Sequence, residues 1–226
     1  MCGRYTLTAF PVDWAEKYRA PDWPVWKARY NIAPSQLVPV VRRDPESPAP
    51  ILDCVQWGLV PFWTKDPATS RRSINARAET AAQKPSFRAA MRHRRCLIPA
   101  DGFYEWAKRT SPKQPHYFQL KSEKLFAFAG LYEHWEDKAG AAMLDTCAIL
   151  TTRANELLRP IHDRMPVILP ERAHERWLDA KVQSAADVQD LLAPFPADRM
   201  QVHPVGLHVN SPRNDDPRCI ARISPS

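Results

Sequence analysis

The chain has 226 residues, 44% of them hydrophobic, with eight Trp and a net charge of +7 from 32 Lys and Arg against 25 Asp and Glu. That is enough apolar material for one packed domain over 1–226, irregular from about residue 211. No apolar run approaches the ~20 residues of a membrane span, and no basic-then-apolar signal pattern opens the chain, so the expected compartment is the cytoplasm.

In chain order, Cys2 comes first, in the run Met1-Cys2-Gly3-Arg4. If Met1 is removed, Cys2 carries a free α-amine and a thiol on adjacent carbons, which no internal cysteine can offer. Both groups supply some reactive form near neutral pH. Such an aminothiol can attack an amide as thiolate, or condense with an aldehyde through an imine to a thiazolidine. A strand-like Tyr-Thr-Leu-Thr run follows, which ties this terminus into the fold.

Phe10, Trp14 and Tyr18 lie at helical spacing and predict a first helix over Phe10 to Tyr18. Leu37 to Val41 and Ile51 to Leu59 read as strands around a Pro-rich loop, Asp44 to Pro50. Glu79 to Arg94 reads as helix interrupted near Pro85. Five strands are then predicted at Cys96–Pro99, Phe103–Lys108, His116–Lys121, Phe126–Tyr132 and Leu144–Thr151. Ala154 to Leu158, Pro170 to Leu178 and Ala185 to Leu192 read as helices, and Met200 to Val205 as a last strand.

Strands in succession with helices at the ends give an α+β fold, with a mostly antiparallel, open β-barrel-like core of short strands and flanking helices. With six Gly there is no Gly-rich phosphate loop. The five cysteines (Cys2, Cys54, Cys96, Cys147 and Cys219) are scattered and odd in number, which argues against disulfides and against a zinc site. Cys54, Cys96 and Cys147 sit in apolar strand-like runs and read as buried structural thiols. No cofactor or metal is expected. The basic surplus favours a polyanionic partner. It gathers at Arg42-Arg43, Arg71-Arg72, Arg88 and Arg92-His93-Arg94-Arg95, where guanidinium forks suit phosphates or a solvated face.

Several side chains could carry chemistry. Glu105 sits between Tyr104 and Trp106, where bulky neighbours would raise a carboxyl pKa toward acid–base use. His162, before Asp163-Arg164, titrates near neutrality. Asn75 could orient an amine or cap a turn. Trp63 and Pro34 could stack on bases or pack in a core.

Taken together the motifs are Met-Cys-Gly-Arg at 1–4, Tyr-Asn-Ile-Ala-Pro at 30–34, Trp-Gly-Leu-Val-Pro at 57–61 and Asn-Ala-Arg-Ala-Glu-Thr at 75–80. They continue with Ala-Asp-Gly-Phe-Tyr-Glu-Trp at 100–106, Thr-Thr-Arg-Ala at 151–154, Ile-His-Asp-Arg-Met-Pro at 161–166 and Val-Asn at 209–210. In this order and spacing the chain resembles the SOS-response-associated peptidase family, also described as abasic-site processing or shield proteins. The resemblance implies a substrate, the abasic site in single-stranded DNA, whose ring-opened sugar presents an aldehyde. It also selects the condensation chemistry, giving a covalent thiazolidine link through Cys2. The resemblance implies Asn75 as the group orienting the amine, Glu105 as proton shuttle, and His162 as acid and base on the sugar oxygen. Arg4 and Arg77 become the leading phosphate contacts, Thr151 and Arg164 secondary ones, and Trp63 with Pro34 the stacking platform. Autopeptidase and lyase activities, a monomer, replication-associated partners and a place at the nucleoid during DNA damage belong to the same expectation. Two rival readings remain: an amidohydrolase using the same N-terminal nucleophile, and a non-catalytic single-strand binding module.

Overall fold

The computed structural model describes residues 2–8, 14, 18, 27–43, 50–107, 113–122 and 125–224. Its strands are β1 (Tyr5–Leu7), β2 (Arg29–Ile32), β3 (Leu37–Arg43), β4 (Pro50–Trp57), β5 (Asn75–Arg77), β6 (Arg95–Ala100) and β7 (Gly102–Trp106). They continue as β8 (Pro115–Leu120), β9 (Phe126–Glu136), β10 (Met143–Arg153), β11 (Arg164–Pro166), β12 (Ile168–Leu169) and β13 (Met200–Pro204). Among the described residues three short α-helices accompany them: α1 (Ala78–Ala81), α2 (Arg88–His93) and α3 (His174–Leu178).

The fold is α+β with a barrel core, and the ring is closed where an open one is expected. Strands pair in the cycle β10–β4–β3–β6–β9, and β9 returns to β10. Closure follows from length. The eleven-residue β10 pairs with β9 over Met143–Ile149, lies parallel to β4 at Thr146 and Cys147, and still reaches β5 and β11 beyond them. Closing a ring removes exposed sheet edges. A second, five-stranded antiparallel sheet runs β13–β8–β7–β1–β2.

Strand alternation gives the barrel two apolar faces. One packs on the second sheet, where the Tyr5 ring meets Trp57 and Phe128 edge-on at centroid distances of 5.4 and 5.7 Å. The other carries Leu97, Ala129, Ala148 and Leu150 beneath Phe87, Met91 and Trp177. β1 is central in the second sheet, and the sequence around Asp101-Gly102 puts it there. The buried Asp101 carboxylate accepts from the Thr6 hydroxyl and from the Thr8 N–H and hydroxyl. Gly102 pairs with Thr6, and a Cβ on it would stand 2.2 Å from the Tyr117 hydroxyl.

The other expectations divide by chemistry. The strands around the Pro-rich loop are present, and the 79–94 helix is split into α1 and α2. The segment 154–158 forms turns instead of a helix, because Ala154 donates across to Asp163 O and Asn155 Oδ1 takes the Leu158 N–H. Pro170 leads into a 3-10 turn, Glu171–Ala173, before α3, and Ala185–Leu192 is 3-10 throughout. The first helix falls outside the described residues except for Trp14 and Tyr18, joined by an i→i−4 bond of 2.9 Å. Residues 44–49 of the Pro-rich loop lie outside them too. Cys54 is a correction: alternation along β4 turns it to solvent, while Cys96 and Cys147 are buried as expected.

Candidate active site

The five-stranded sheet and the barrel bring the N-terminus, β7 and the segment before β11 to one open cleft of about 540 Å³. Gly3, Arg4, Glu105, Trp106, Lys113, His162 and Asn210 line it. Cys2 lies behind Gly3 with its side chain fully buried. Its thiol approaches Arg4 O at 3.9 Å. Burial, reinforced by the Glu105 carboxylate, holds that thiol well above the ordinary cysteine range. It is therefore protonated at neutral pH and needs a base before it can react as thiolate.

Asn75 opens β5, held parallel to β10 opposite Ile149. Its amide Nδ2 donates to Cys2 O at 2.9 Å. Its Oδ1 is buried and has no hydrogen-bond partner among the described residues. A buried, open acceptor is costly unless something donates to it. The carboxamide is thus anchored on Cys2 with one acceptor left for an N–H.

Glu105 sits on β7 between Tyr104, whose N–H binds Arg4 O at 3.0 Å, and Trp106. Its side chain is nearly fully buried. Burial raises its carboxyl to about 6, with nearby Asp163 adding to the rise. That value suits a group that takes and returns protons near neutrality. Glu105 lines the cleft and not the outer surface of the sheet.

His162 has a side chain 13% exposed. Its Nδ1 lies 3.0 Å from the Arg164 N–H and 3.3 Å from Arg164 O. The Asp163 carboxylate lies 3.2 Å from the same Nδ1, placed to stabilise the ring when that nitrogen is protonated.

The predicted DNA contacts separate. Arg4 reaches the cleft, but one of its nitrogens donates to Asn31 Oδ1 and Val209 O, each at 2.8 Å, and its guanidinium lies 5.9 Å from the Trp106 ring centroid. It builds the cleft wall as well as charging it. Arg77 is exposed at the end of β5. Trp63 is exposed and Pro34 half-buried. Two further choices are engaged within the protein. Thr151 is fully buried with its hydroxyl on Ala76 O at 3.4 Å, so it holds β5 to β10 and meets no solvent. Arg164 forks onto Glu79 at 2.6 and 2.8 Å and onto Thr151 O, so its donors hold α1 to β10. The Arg92–Arg95 cluster also divides: Arg92 is exposed, Arg94 pairs with Glu133, and Arg95 is buried on the carbonyls of Met91, Trp177 and Asp179.

Sequence reasoning passed over Lys113 and Asn210 as cleft residues, and Asn31 as the support beneath them. Asn210 Oδ1 accepts from Trp106 Nε1 at 2.7 Å. The Asn31 amide donates to the carbonyls of Val209, Ser211 and Asn214. Tyr30-Asn31 and Val209-Asn210 stood in the motifs, where their contact across 178 residues was the missing information. Lys113 carried no signal, being one lysine in a polar turn.

The model of the SOS response associated peptidase family matches residues 1–212. The chain belongs to this family. Among its relatives, the abasic site processing protein YoqW of Bacillus subtilis is 44% identical over 225 residues, covering 97% of this chain and 99% of that one. The abasic site processing protein HMCES of Xenopus tropicalis is 32% identical over 265 residues, covering 99% and 78%. A solved structure of a Bacteroides thetaiotaomicron protein superposes with a TM-score of 0.86 at 29% identity, covering 99% of this chain and all of that one. A Bordetella bronchiseptica structure follows at 0.75 and 32%, covering 91% and 100%. The family's fold therefore extends through the segments that carry Cys2, Asn75 and Glu105. Among the described residues, no helix is long and apolar enough to cross a membrane.

Proposed function

We propose that this protein captures abasic sites in single-stranded DNA by condensing Cys2, once Met1 is removed, with the aldehyde of the ring-opened sugar. The observation that carries the reading is the Asn75 carboxamide: it holds Cys2 through the carbonyl and keeps a buried acceptor open. A free α-amine on Cys2 supplies the N–H that this acceptor lacks. The names of the relatives, which call them abasic site processing proteins, support the substrate.

The chemistry proceeds in two steps. The α-amine attacks the aldehyde carbon, and loss of water gives an imine. The thiol then adds across the C=N bond: sulfur bonds to carbon, and its proton ends on nitrogen, closing the thiazolidine. The buried thiol does not ionise by itself, so Glu105 takes its proton and returns it to nitrogen. His162 serves the sugar oxygen as acid and base during ring opening and during reversal. The linked lesion is shielded from strand cleavage. An imine that cannot close is open to β-elimination, so a lyase side activity follows from losing the thiol alone. Autoproteolysis of the kind the family's name records would use the same Cys2 and Glu105.

Arg4, Arg77 and Lys113 would meet phosphates, giving salt-dependent binding with little sequence preference. Trp63 and Pro34 would stack beside the lesion and favour single strands or junctions.

The test mixes protein confirmed by mass spectrometry to begin at Cys2 with single-stranded DNA carrying one abasic site, followed by denaturing electrophoresis. A boil-resistant slow band is expected. It should vanish with Cys2→Ala, which instead nicks the strand, and with an intact base. Absence of the band refutes the proposal and returns the site to amide chemistry, which a glutaminase assay would check. A complex that dissociates fully in denaturant identifies a binding module.

A further inference from the structure

The lining of the cleft recognises charge and a carbonyl more than it recognises a polymer. Its ionisable groups are two cations, Arg4 and Lys113, and two proton carriers, Glu105 and His162. Trp106 is already engaged: its Nε1 donates to Asn210 Oδ1 at 2.7 Å, and the Arg4 guanidinium lies 5.9 Å from its ring centroid. The space, about 540 Å³, falls within the usual range for small-molecule sites.

The cations suit a free phosphate. A guanidinium carries five N–H donors. Arg4 commits three of them, to Asn31 Oδ1, Val209 O and Asn210 O. Two donors remain among the described residues, on a group whose direction those three bonds fix. Lys113 is exposed, two residues before β8, and adds a compact point charge. Each phosphate of DNA is a diester with one charge, whereas a phosphate monoester carries about −1.5 to −2 near pH 7. At equal distance the two cations therefore attract a monoester more strongly than one DNA phosphate. The Cys2 chemistry sets no further condition, because amine and thiol both bond to the same aldehyde carbon.

We propose that the mature cleft also captures small aldehydes bearing a phosphate monoester, as thiazolidines on Cys2, and that these compounds compete with abasic DNA. This rests on the capture chemistry above. The amine nitrogen bonds to the aldehyde carbon, and the carbonyl oxygen leaves as water. Sulfur then bonds to the same carbon, and the thiol proton ends on nitrogen. One water is released per adduct, and no oxidant or reductant is needed.

The experiment uses the full chain, confirmed by mass spectrometry to begin at Cys2. The probes are glyceraldehyde 3-phosphate and its neutral counterpart, glyceraldehyde. Intact mass follows the adduct, protein plus aldehyde less one water, and peptide mapping assigns it to Cys2. The free peptide Cys-Gly-Arg-Tyr, residues 2–5, supplies the intrinsic ratio of the two rates. In the protein the phosphorylated-to-neutral ratio should exceed the peptide's by at least about tenfold. Lys113→Ala should cut that ratio by about three- to tenfold, and Lys113→Arg should keep most of it. Preincubation with the phosphorylated aldehyde should delay capture of an abasic oligonucleotide. A protein ratio equal to the peptide's, or one that Lys113→Ala leaves in place, overturns recognition of the phosphate by these cations. Capture of the oligonucleotide without capture of the phosphorylated aldehyde sinks this inference alone. Capture of the phosphorylated aldehyde without the oligonucleotide sinks the abasic-site reading and leaves this one standing, and capture of neither sinks both.

Discussion

Replacing Glu105 by Gln should make the protein more stable and less active, and the gain should depend on pH. Burial lifts the Glu105 carboxyl from 4.5 to about 6 in the native state. Below about pH 4.5 the group is neutral whether folded or unfolded, so wild type and Glu105→Gln differ little through ionisation. As pH rises through 4.5 to 6, the unfolded chain loses a proton that the native state retains, and the wild type loses stability. Above about pH 6 the loss is complete, at roughly 1.5 pK units or about 2 kcal/mol. The neutral amide never meets this penalty. At pH 8, Glu105→Gln should therefore gain about 2 kcal/mol on the wild type relative to pH 4.5, near 4–8 °C in Tm for a chain of this size. Capture of abasic DNA by the same variant should slow about 10²- to 10⁴-fold, the range for losing a positioned proton-transfer group. Urea unfolding of both proteins at the two pH values, beside a capture time course, reads both effects. A stability difference that stays flat with pH, or that favours the wild type more as pH rises, would refute a buried, raised carboxyl.

Asn75→Ala should slow capture at least about tenfold by freeing Cys2, worth a hydrogen bond of roughly 1.4 kcal/mol, with a smaller change in DNA affinity; single-turnover gels at saturating protein measure it. Arg77→Ala should weaken binding alike on unrelated sequences and lower the slope of log K against log salt by about 1, read by fluorescence anisotropy across a salt series. Asn31→Ala removes one acceptor of Arg4 and the amide shared by three carbonyls, and should cost about 2–4 kcal/mol in urea unfolding. Gly102→Ala drives a methyl into Tyr117 and should cost at least about 3 kcal/mol by the same assay.

The strands of the barrel and the sheltered setting of Glu105 were legible because their signals are local. Alternation in Phe126–Glu136 or Met143–Arg153 and the aromatics around Glu105 are visible within a few positions. What was hidden depends on distant partners. Ring closure needs β9 and β10 to outlast their neighbours, and the three-residue β5 and β11 are too short to show a period. The partner of Arg164 was hidden because Glu79 stands 85 residues away. Thr151 looked polar and available, yet β10 is buried where it pairs with β5. Cys54 misled for the opposite reason: its neighbours are apolar, but its own place in the alternation faces out.

The position of β1 also sets an order of events in the life of the chain. Tyr5 pairs with Phe103, nearly a hundred residues later, and Ile32 covers its other side. At about 5–20 residues per second of synthesis, the first strand waits roughly 5–20 seconds at the ribosome before its main partner exists. During that interval the terminus is open to an aminopeptidase. Afterwards Cys2 is buried behind Gly3 at the back of the cleft. For the capture proposed above, that interval is the time in which Met1 would have to leave.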